Sequence, residues 1–148
     1  MQQPETLRDS GSSGQEGHSG ATEISVYNDF LMHVTLGAQL ASVEALQREF
    51  LEVLQEQLDS ARPFTLVVDS TQLSTVPLSV GFEVVKFMRL NQPKFRAGCR
   101  ASAIVVGSSF IQGLLEWVFT LSPPVSPNVV VQTLEQGFAF VNQYAPPA

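Results

Sequence analysis

The sequence predicts an α/β fold, a sandwich with a mostly parallel mixed sheet of about five strands and about four helices in the order ββαβαβαβα. Two observations predict it. The apolar run Phe64–Val68 is too short for a helix and is rich in aromatic and β-branched residues, which is typical of a strand buried on both faces. Segments of helical periodicity also alternate with such runs along the chain, as they do in parallel sheets with helical crossovers.

The 148-residue chain is expected to form one domain over residues 22–145, preceded by a disordered arm over residues 1–21. The arm contains the low-complexity stretch GSSGQEGHSG and almost no aliphatic side chains. It cannot bury enough apolar surface to offset the entropy lost on ordering. His18 lies in this arm, and we assign it no function.

A hairpin is predicted to open the domain. Apolar and polar residues alternate in Glu23–Tyr27, as in an edge strand, and a turn at Asn28 and Asp29 leads to a second strand over Phe30–Leu36. His33 faces away from its two apolar neighbours in that strand. We therefore interpret it as a hydrogen-bonded or solvent-facing histidine, with a ligand or base as the alternative.

The first helix is predicted over Val43–Ala61, with Ser42 as its N-cap. Apolar residues recur there at helical spacing, and carboxylates occupy the other side. We interpret the charged side as a solvated face, with a docking surface for a basic partner as the alternative. Pro63 ends the helix and the central strand follows at once, which is the second half of a crossover unit.

Beyond the central strand, Pro77 suits the first position of a helix predicted over Leu78–Leu90. That helix has more apolar residues than one stripe needs, so we expect it to pack on two sides. Residues 91–98 are expected to form a polar connection. A strand is then predicted over Arg100–Val106, followed by a helix over Phe110–Leu121 that Gly107, Ser108 and Ser109 can cap. We expect Trp117 in that helix to be partly exposed. The last predicted elements are a strand over Val129–Val131 and a closing helix with Leu134, Phe138 and Val141.

This order of elements resembles the STAS domain, the fold of bacterial anti-sigma-factor antagonists, and the related CRAL-TRIO lipid-binding fold. The likeness rests on the hairpin, the acid that ends the central strand, the polar turn and the helix after it, and it extends over about residues 23–141. It implies a noncatalytic, regulatory protein-interaction domain. The alternative is a domain of CRAL-TRIO type that binds a lipid or a small apolar ligand, because the helices Leu78–Leu90 and Phe110–Leu121 could line a cavity.

The resemblance also implies a contact and phosphorylation site at the turn after the central strand. Asp69 matches the acid that ends the strand, and Ser79 stands in place of the second serine of the family motif D-S-S-G-L. Pro77, Leu78 and Val80 replace the acid, the first serine and the glycine of that motif. The candidate interaction or phosphoswitch residues are Asp69, Ser70, Thr71, Ser74, Thr75 and Ser79.

Five of the eight basic residues lie close together in the sequence, although the net charge is −6. They form a candidate patch for an acidic protein segment or a peripheral anionic lipid headgroup. The alternative is a solvated helix end and loop whose cations interact favourably with the helix dipole. The five residues are Lys86, Arg89, Lys94, Arg96 and Arg100.

Several classes of function are disfavoured by what the sequence contains. A net charge of −6 argues against nonspecific nucleic-acid binding, which needs phosphate neutralisation. Cys99 is the one cysteine, and no grouping of Cys or His predicts a metal site. No nucleotide-binding or nucleophile motif is present, so we expect no enzyme activity, catalytic residue or cofactor. Without a secretory signal or a spanning apolar stretch, we expect a soluble, cytoplasmic protein. A protein partner is what the resemblance to the STAS domain implies.

Overall fold

The computed structural model describes residues 5–6, 21–38, 40 and 42–146. The α/β class predicted from the sequence is confirmed, with a mostly parallel mixed sheet whose strand order follows the chain. The strands are β1 (Glu5–Thr6), β2 (Glu23–Tyr27), β3 (Leu31–Thr35), β4 (Phe64–Asp69), β5 (Cys99–Val105) and β6 (Asn128–Val131). Of the predicted arm, only residues 5–6 and 21 are described, and residues 5–6 form β1, which pairs antiparallel with β2. His18 lies outside the described residues.

The first helix has three consecutive segments: α1 (Val43–Leu46), a π-helical turn (Gln47–Leu51) and α2 (Glu52–Asp59). Ser42 is its N-cap, as predicted, because its hydroxyl accepts a hydrogen bond from the Ala45 amide at 3.1 Å. The remaining helices are α3 (Leu78–Leu90), α4 (Gln92–Gly98), α5 (Ser109–Leu121) and α6 (Leu134–Asn142).

One sequence prediction is wrong: residues 91–98 contain the helix α4 rather than only a polar connection. Pro93 stands in its first turn, where a missing amide costs no hydrogen bond. Phe95 then packs edge-on against Phe87 of α3, with ring centroids 6.1 Å apart. The apolar contact stabilises a helix that is too short to be stable by itself.

The sheet has two unequally covered faces. β2 and β3 are antiparallel, whereas β3, β4, β5 and β6 are parallel and adjacent in chain order. Right-handed crossovers that all advance in one direction place their helices on the same face. One apolar cluster accordingly joins the sheet to α1–α5, and a smaller cluster joins the opposite face to α6.

The central strand β4 is buried along its whole length, as the sequence predicts. Its alternate residues serve the two clusters: Leu66 and Val68 belong to the larger one, and Val67 to the smaller one. On the α6 side, Gly137 packs on the sheet, and a Cβ there would be in ordinary van der Waals contact with Val105 at 3.4 Å and Ala103 at 3.5 Å.

Candidate functional site

The turn that follows β4 is organised by the carboxylate of Asp69. Its Oδ1 accepts hydrogen bonds from the Thr71 amide at 2.9 Å and from the Thr71 hydroxyl at 2.6 Å. Asp69 is only 8% exposed. The carboxylate is therefore a turn acceptor, the arrangement in which an acid closes its own loop.

Ser70, the next predicted site residue, faces inward. It is 3% exposed, and its amide and hydroxyl both donate to the Val105 carbonyl, at 2.8 and 2.7 Å. These two hydrogen bonds fix the turn to the end of β5. Asp69 and Ser70 therefore support the site from within, whereas Thr71, Ser74, Thr75 and Ser79 are exposed on its surface.

The loop after β5 lies directly against this turn. The Ser108 hydroxyl caps α5 by accepting from the Ile111 amide at 3.1 Å, as the sequence predicts, and donates to the Ser74 carbonyl at 3.2 Å. Gly107 is needed there because a Cβ would lie 3.2 Å from the Thr71 backbone. The two loops thus form one continuous edge that precedes both α3 and α5.

Ser79 lies in the first turn of α3, where no acidic residue is present. Pro77 occupies the N-cap position rather than the predicted first helical position, because its ψ of 148° is extended, and it makes no side-chain hydrogen bond. Backbone amides at a helix start favour negative charge. A phosphate or carboxylate at Ser79 is therefore electrostatically compatible with the fold.

Large apolar side chains are exposed beside this edge, on α3 and α5. Leu78 is 57% exposed, Phe82 54% and Phe110 47%. The half-buried Trp117 packs edge-on against Phe82, with ring centroids 5.0 Å apart and an interplanar angle of 85°. We call these four residues the α3–α5 apolar patch: Leu78, Phe82, Phe110 and Trp117.

The many apolar residues of α3 predict a helix that packs on two sides. The helix does contact both α1 and α5. Leu78 and Phe82 nevertheless stay exposed, because α5 approaches α3 most closely at Gly81, where a Cβ would lie 3.0 Å from Leu114. The sequence signal that could have identified the patch is the spacing of Leu78 and Phe82, which puts them one helical turn apart.

The predicted basic patch is spread over three elements. Lys94 forms an ion pair with Asp59, whose pKa is lowered chiefly by that hydrogen bond. Arg89 donates to the Leu121 carbonyl at 2.8 Å. The other members, Lys86, Arg96 and Arg100, are exposed and form no ion pair with any described residue.

A cavity of about 180 Å³ lies within the larger apolar cluster, between the sheet and the helices of its face. None of its described lining residues is charged. The lining includes Leu54, Val84, Ile104, Leu114, Leu115 and Val118.

Two further reactive side chains are constrained by burial. Burial raises the pKa of the Cys99 thiol to about 11, so little of the reactive thiolate forms at neutral pH. His33 lies on the α6 side, with its ring edge-on to Phe138 at a centroid distance of 5.2 Å. Burial lowers the pKa of His33, against the opposing effects of Asp69 and Glu23.

The carboxyl edge of the parallel strands differs from a usual α/β active site. Ligands bind such sheets where the strand order reverses, and the order here does not reverse among the described strands. Within the described part of the chain, no three metal-ligating side chains cluster, and no helix is long and apolar enough to cross a membrane.

Comparisons with family models, curated proteins and solved structures found no match to this chain. The resemblance to the STAS domain therefore stays a prediction from the order of elements.

Proposed function

We propose that the domain is a noncatalytic protein-interaction module that contacts its partner through the α3–α5 apolar patch. The observation that supports this most directly is the exposure of Leu78, Phe82 and Phe110 on two packed helices. Grouped apolar side chains of this kind are typical of sites where proteins associate. Aromatic residues such as Phe82 and Trp117 are also the side chains that contribute most at such contacts.

The partner is an amphipathic segment with apolar side chains and flanking carboxylates. Lys86 follows Phe82 by one helical turn, is exposed, and has no ion pair among the described residues. A carboxylate on the partner would be attracted to it, while the partner's apolar side chains cover Leu78 and Phe82. An amphipathic helix laid against an apolar surface is a common recognition mode of this chemistry.

The regulatory part of the proposal concerns Ser79. This exposed serine is adjacent to Leu78, at a helix start that tolerates negative charge. Phosphorylation there would place charge at the rim of the apolar patch and weaken apolar contacts while leaving the fold intact. The absence of enzymatic activity and a cytoplasmic location belong to the same proposal.

The test compares Phe82→Ser with Leu90→Ser in quantitative capture of proteins from the native host lysate. Leu90 is 72% exposed on the same helix but lies outside the patch, so it controls for loss of an exposed apolar side chain. We expect one acidic partner to be captured by the unaltered chain and by Leu90→Ser, and to be at least fivefold depleted with Phe82→Ser. Capture that is equal for all three proteins would show that the patch is not the contact surface.

The captured partner is then purified, and its binding to the domain is measured by titration calorimetry. Lys86→Glu should weaken this binding by repulsion. It should also reduce or reverse the loss of affinity on adding salt, because salt screens an attraction in the unaltered chain and a repulsion in the variant. Ser79→Asp should weaken it as well, whereas Thr120→Asp, on the exposed side of α5, is the matched charge control. If Ser79→Asp and Thr120→Asp bind equally well, the switch is ruled out while the contact surface stands.

A further inference from the structure

We propose that the cavity between the sheet and its larger helical layer is a binding site for a compact, uncharged, mainly apolar small molecule with one hydrogen-bonding group. This inference is independent of the protein contact at the α3–α5 apolar patch. It rests on the volume of the cavity, the chemistry of its lining and the helix geometry beside it.

The volume sets the size of the ligand. At about 180 Å³ the cavity is far larger than the small voids of an ordinary protein interior. An apolar cavity of roughly 150 Å³ stays dry and binds benzene. Pockets for drug-sized molecules start at roughly 300 Å³, so a single ring or a compact alicyclic molecule suits this cavity better than a membrane lipid does.

The lining sets the charge of the ligand. Leucine, valine, isoleucine and phenylalanine side chains from the sheet, the first helix, α3 and α5 form most of the lining, and no charged residue is among the described lining residues. An ion placed there would lose its hydration without gaining a partner. The ligand is therefore neutral.

Few polar groups line the cavity, and they differ in availability. At the carboxyl end of β4, the Ser70 hydroxyl is already bonded to the Val105 carbonyl. In the middle of β5, Ser102 accepts from the Asn128 amide nitrogen at 2.7 Å and still has a hydroxyl proton to donate. Gln92 and Ser126 line the cavity as well. The ligand's polar group belongs beside Ser102.

The π-helical turn is the second sign of a ligand site. Phe50 and Leu51 belong to it, and both line the cavity. Single π-helical turns inside α-helices are rare and occur frequently at functional sites. This turn is tied to α3 by a hydrogen bond from Gln47 to Glu83 at 2.9 Å. The widened turn therefore forms part of the cavity wall and connects it to the helix opposite.

The experiment is a methyl NMR titration of the full 148-residue chain with three probes: p-cresol, toluene and benzoate. We expect saturable shifts at the methyl groups of Leu54, Ile104 and Leu114 with p-cresol and toluene, together with intermolecular NOEs to those methyl groups. Benzoate should give none, because its charge is excluded. Absence of saturable shifts and NOEs with both neutral probes would overturn the proposal.

Matched variants locate the site. Val84→Phe fills the cavity and should weaken binding of both neutral probes at least tenfold, whereas Val131→Phe, on the α6 side of the sheet, should not. Ser102→Ala should weaken p-cresol binding at least threefold and leave toluene unchanged. Equal binding by the two phenylalanine variants would place the probe elsewhere and overturn the proposal. If Val84→Phe does not fold, the NOEs to the unaltered chain decide the location.

Discussion

Asp69 and Thr71 form a closed unit in which one carboxylate oxygen accepts both the amide and the hydroxyl hydrogen of the residue two positions later. The unit holds the turn after β4 in the shape that lets Ser70 reach the Val105 carbonyl and Gly107 contact Thr71. The acid at the end of the central strand is thus a structural support for the edge that precedes α3 and α5.

Replacing Asp69 by alanine should destabilise the fold. Hydrogen bonds to a charged acceptor contribute about 1.5–3 kcal/mol each, although exposure of Thr71 to water places the expected loss near the lower value. Asp69→Asn keeps an acceptor oxygen and should lose less than half as much. Urea unfolding measures both. Asp59→Ala, which removes an exposed carboxylate from its pair with Lys94, is the control. Equal losses for Asp69→Ala and Asp59→Ala would contradict the supporting role.

Because α3 approaches α5 closely at Gly81, we expect alanine to affect stability differently at Gly81 and at Gly113. A Cβ at Gly81 would lie 3.0 Å from Leu114 Cδ1 and 3.2 Å from Trp117 Cζ3, whereas one at Gly113 in α5 meets nothing within 4 Å. Gly113→Ala should therefore raise stability by about 0.5–1 kcal/mol through helix propensity. Gly81→Ala should be less stable than Gly113→Ala by about 1 kcal/mol or more, because Trp117 must move.

Urea unfolding of the two alanine variants gives this difference directly. If both raise stability equally, the helices are further apart than the structure shows. The fluorescence of Trp117 offers an independent readout, since it is the one tryptophan of the chain and only Gly81→Ala should change its emission.

The sequence predicts much of this fold because its strongest signals are local. Four of the five residues in Phe64–Val68 are apolar, which marks this segment as a strand buried on both faces. Ser42 and Ser108 cap helices because their hydroxyls reach amides only three residues away. The helix α4 was missed because its formation depends on Phe95 meeting Phe87 from another helix. No local pattern within residues 91–98 shows that contact.

The candidate site was less predictable because exposure depends on how distant segments meet. Ser70 and Ser74 are similar residues in one turn, yet Ser70 is buried because β5 supplies a carbonyl beside it. Likewise, Phe82 and Val85 are both apolar residues of α3, but only Val85 is buried. The cavity too is a property of the space between layers, which residue spacing along one chain segment does not reveal.

Replacement by alanine should change the free energy of unfolding in opposite directions at two buried serines. The Ser70 hydroxyl donates to Val105, whereas the buried Ser122 hydroxyl has no hydrogen-bond partner among the described residues. Ser70→Ala should lower stability by about 0.5–1.5 kcal/mol. Ser122→Ala should raise it by roughly 1 kcal/mol, because it removes an unpaired polar group from the interior. Thermal unfolding of the pair measures this. A loss of stability in Ser122→Ala would indicate a partner for its hydroxyl.

We expect the environment of His33 to make the fold less stable at mildly acidic pH. Its ring nitrogens lie 3.5 Å from the Tyr27 and Thr35 hydroxyls, and Phe138 covers the ring. Burial holds the folded pKa of His33 below the 6.5 of the unfolded chain, despite the nearby carboxylates of Asp69 and Glu23. Between those two values the unfolded chain binds more protons than the folded one. Stability should therefore fall as the pH is lowered through 6.5 toward the folded pKa of His33.

The measurement is the urea midpoint of the unaltered chain, His33→Gln and His18→Gln at pH 7.5, 6.5 and 5.5. The carboxylates titrate in the same way in all three proteins. A difference between two proteins in how the urea midpoint changes with pH therefore gives the contribution of the replaced histidine. We expect His33→Gln to lose a distinct part of the pH dependence between 7.5 and 5.5, and His18→Gln to keep it. If His33→Gln retains the full slope, protonation of His33 does not oppose folding, and the ring is accessible enough to carry its charge in the folded state.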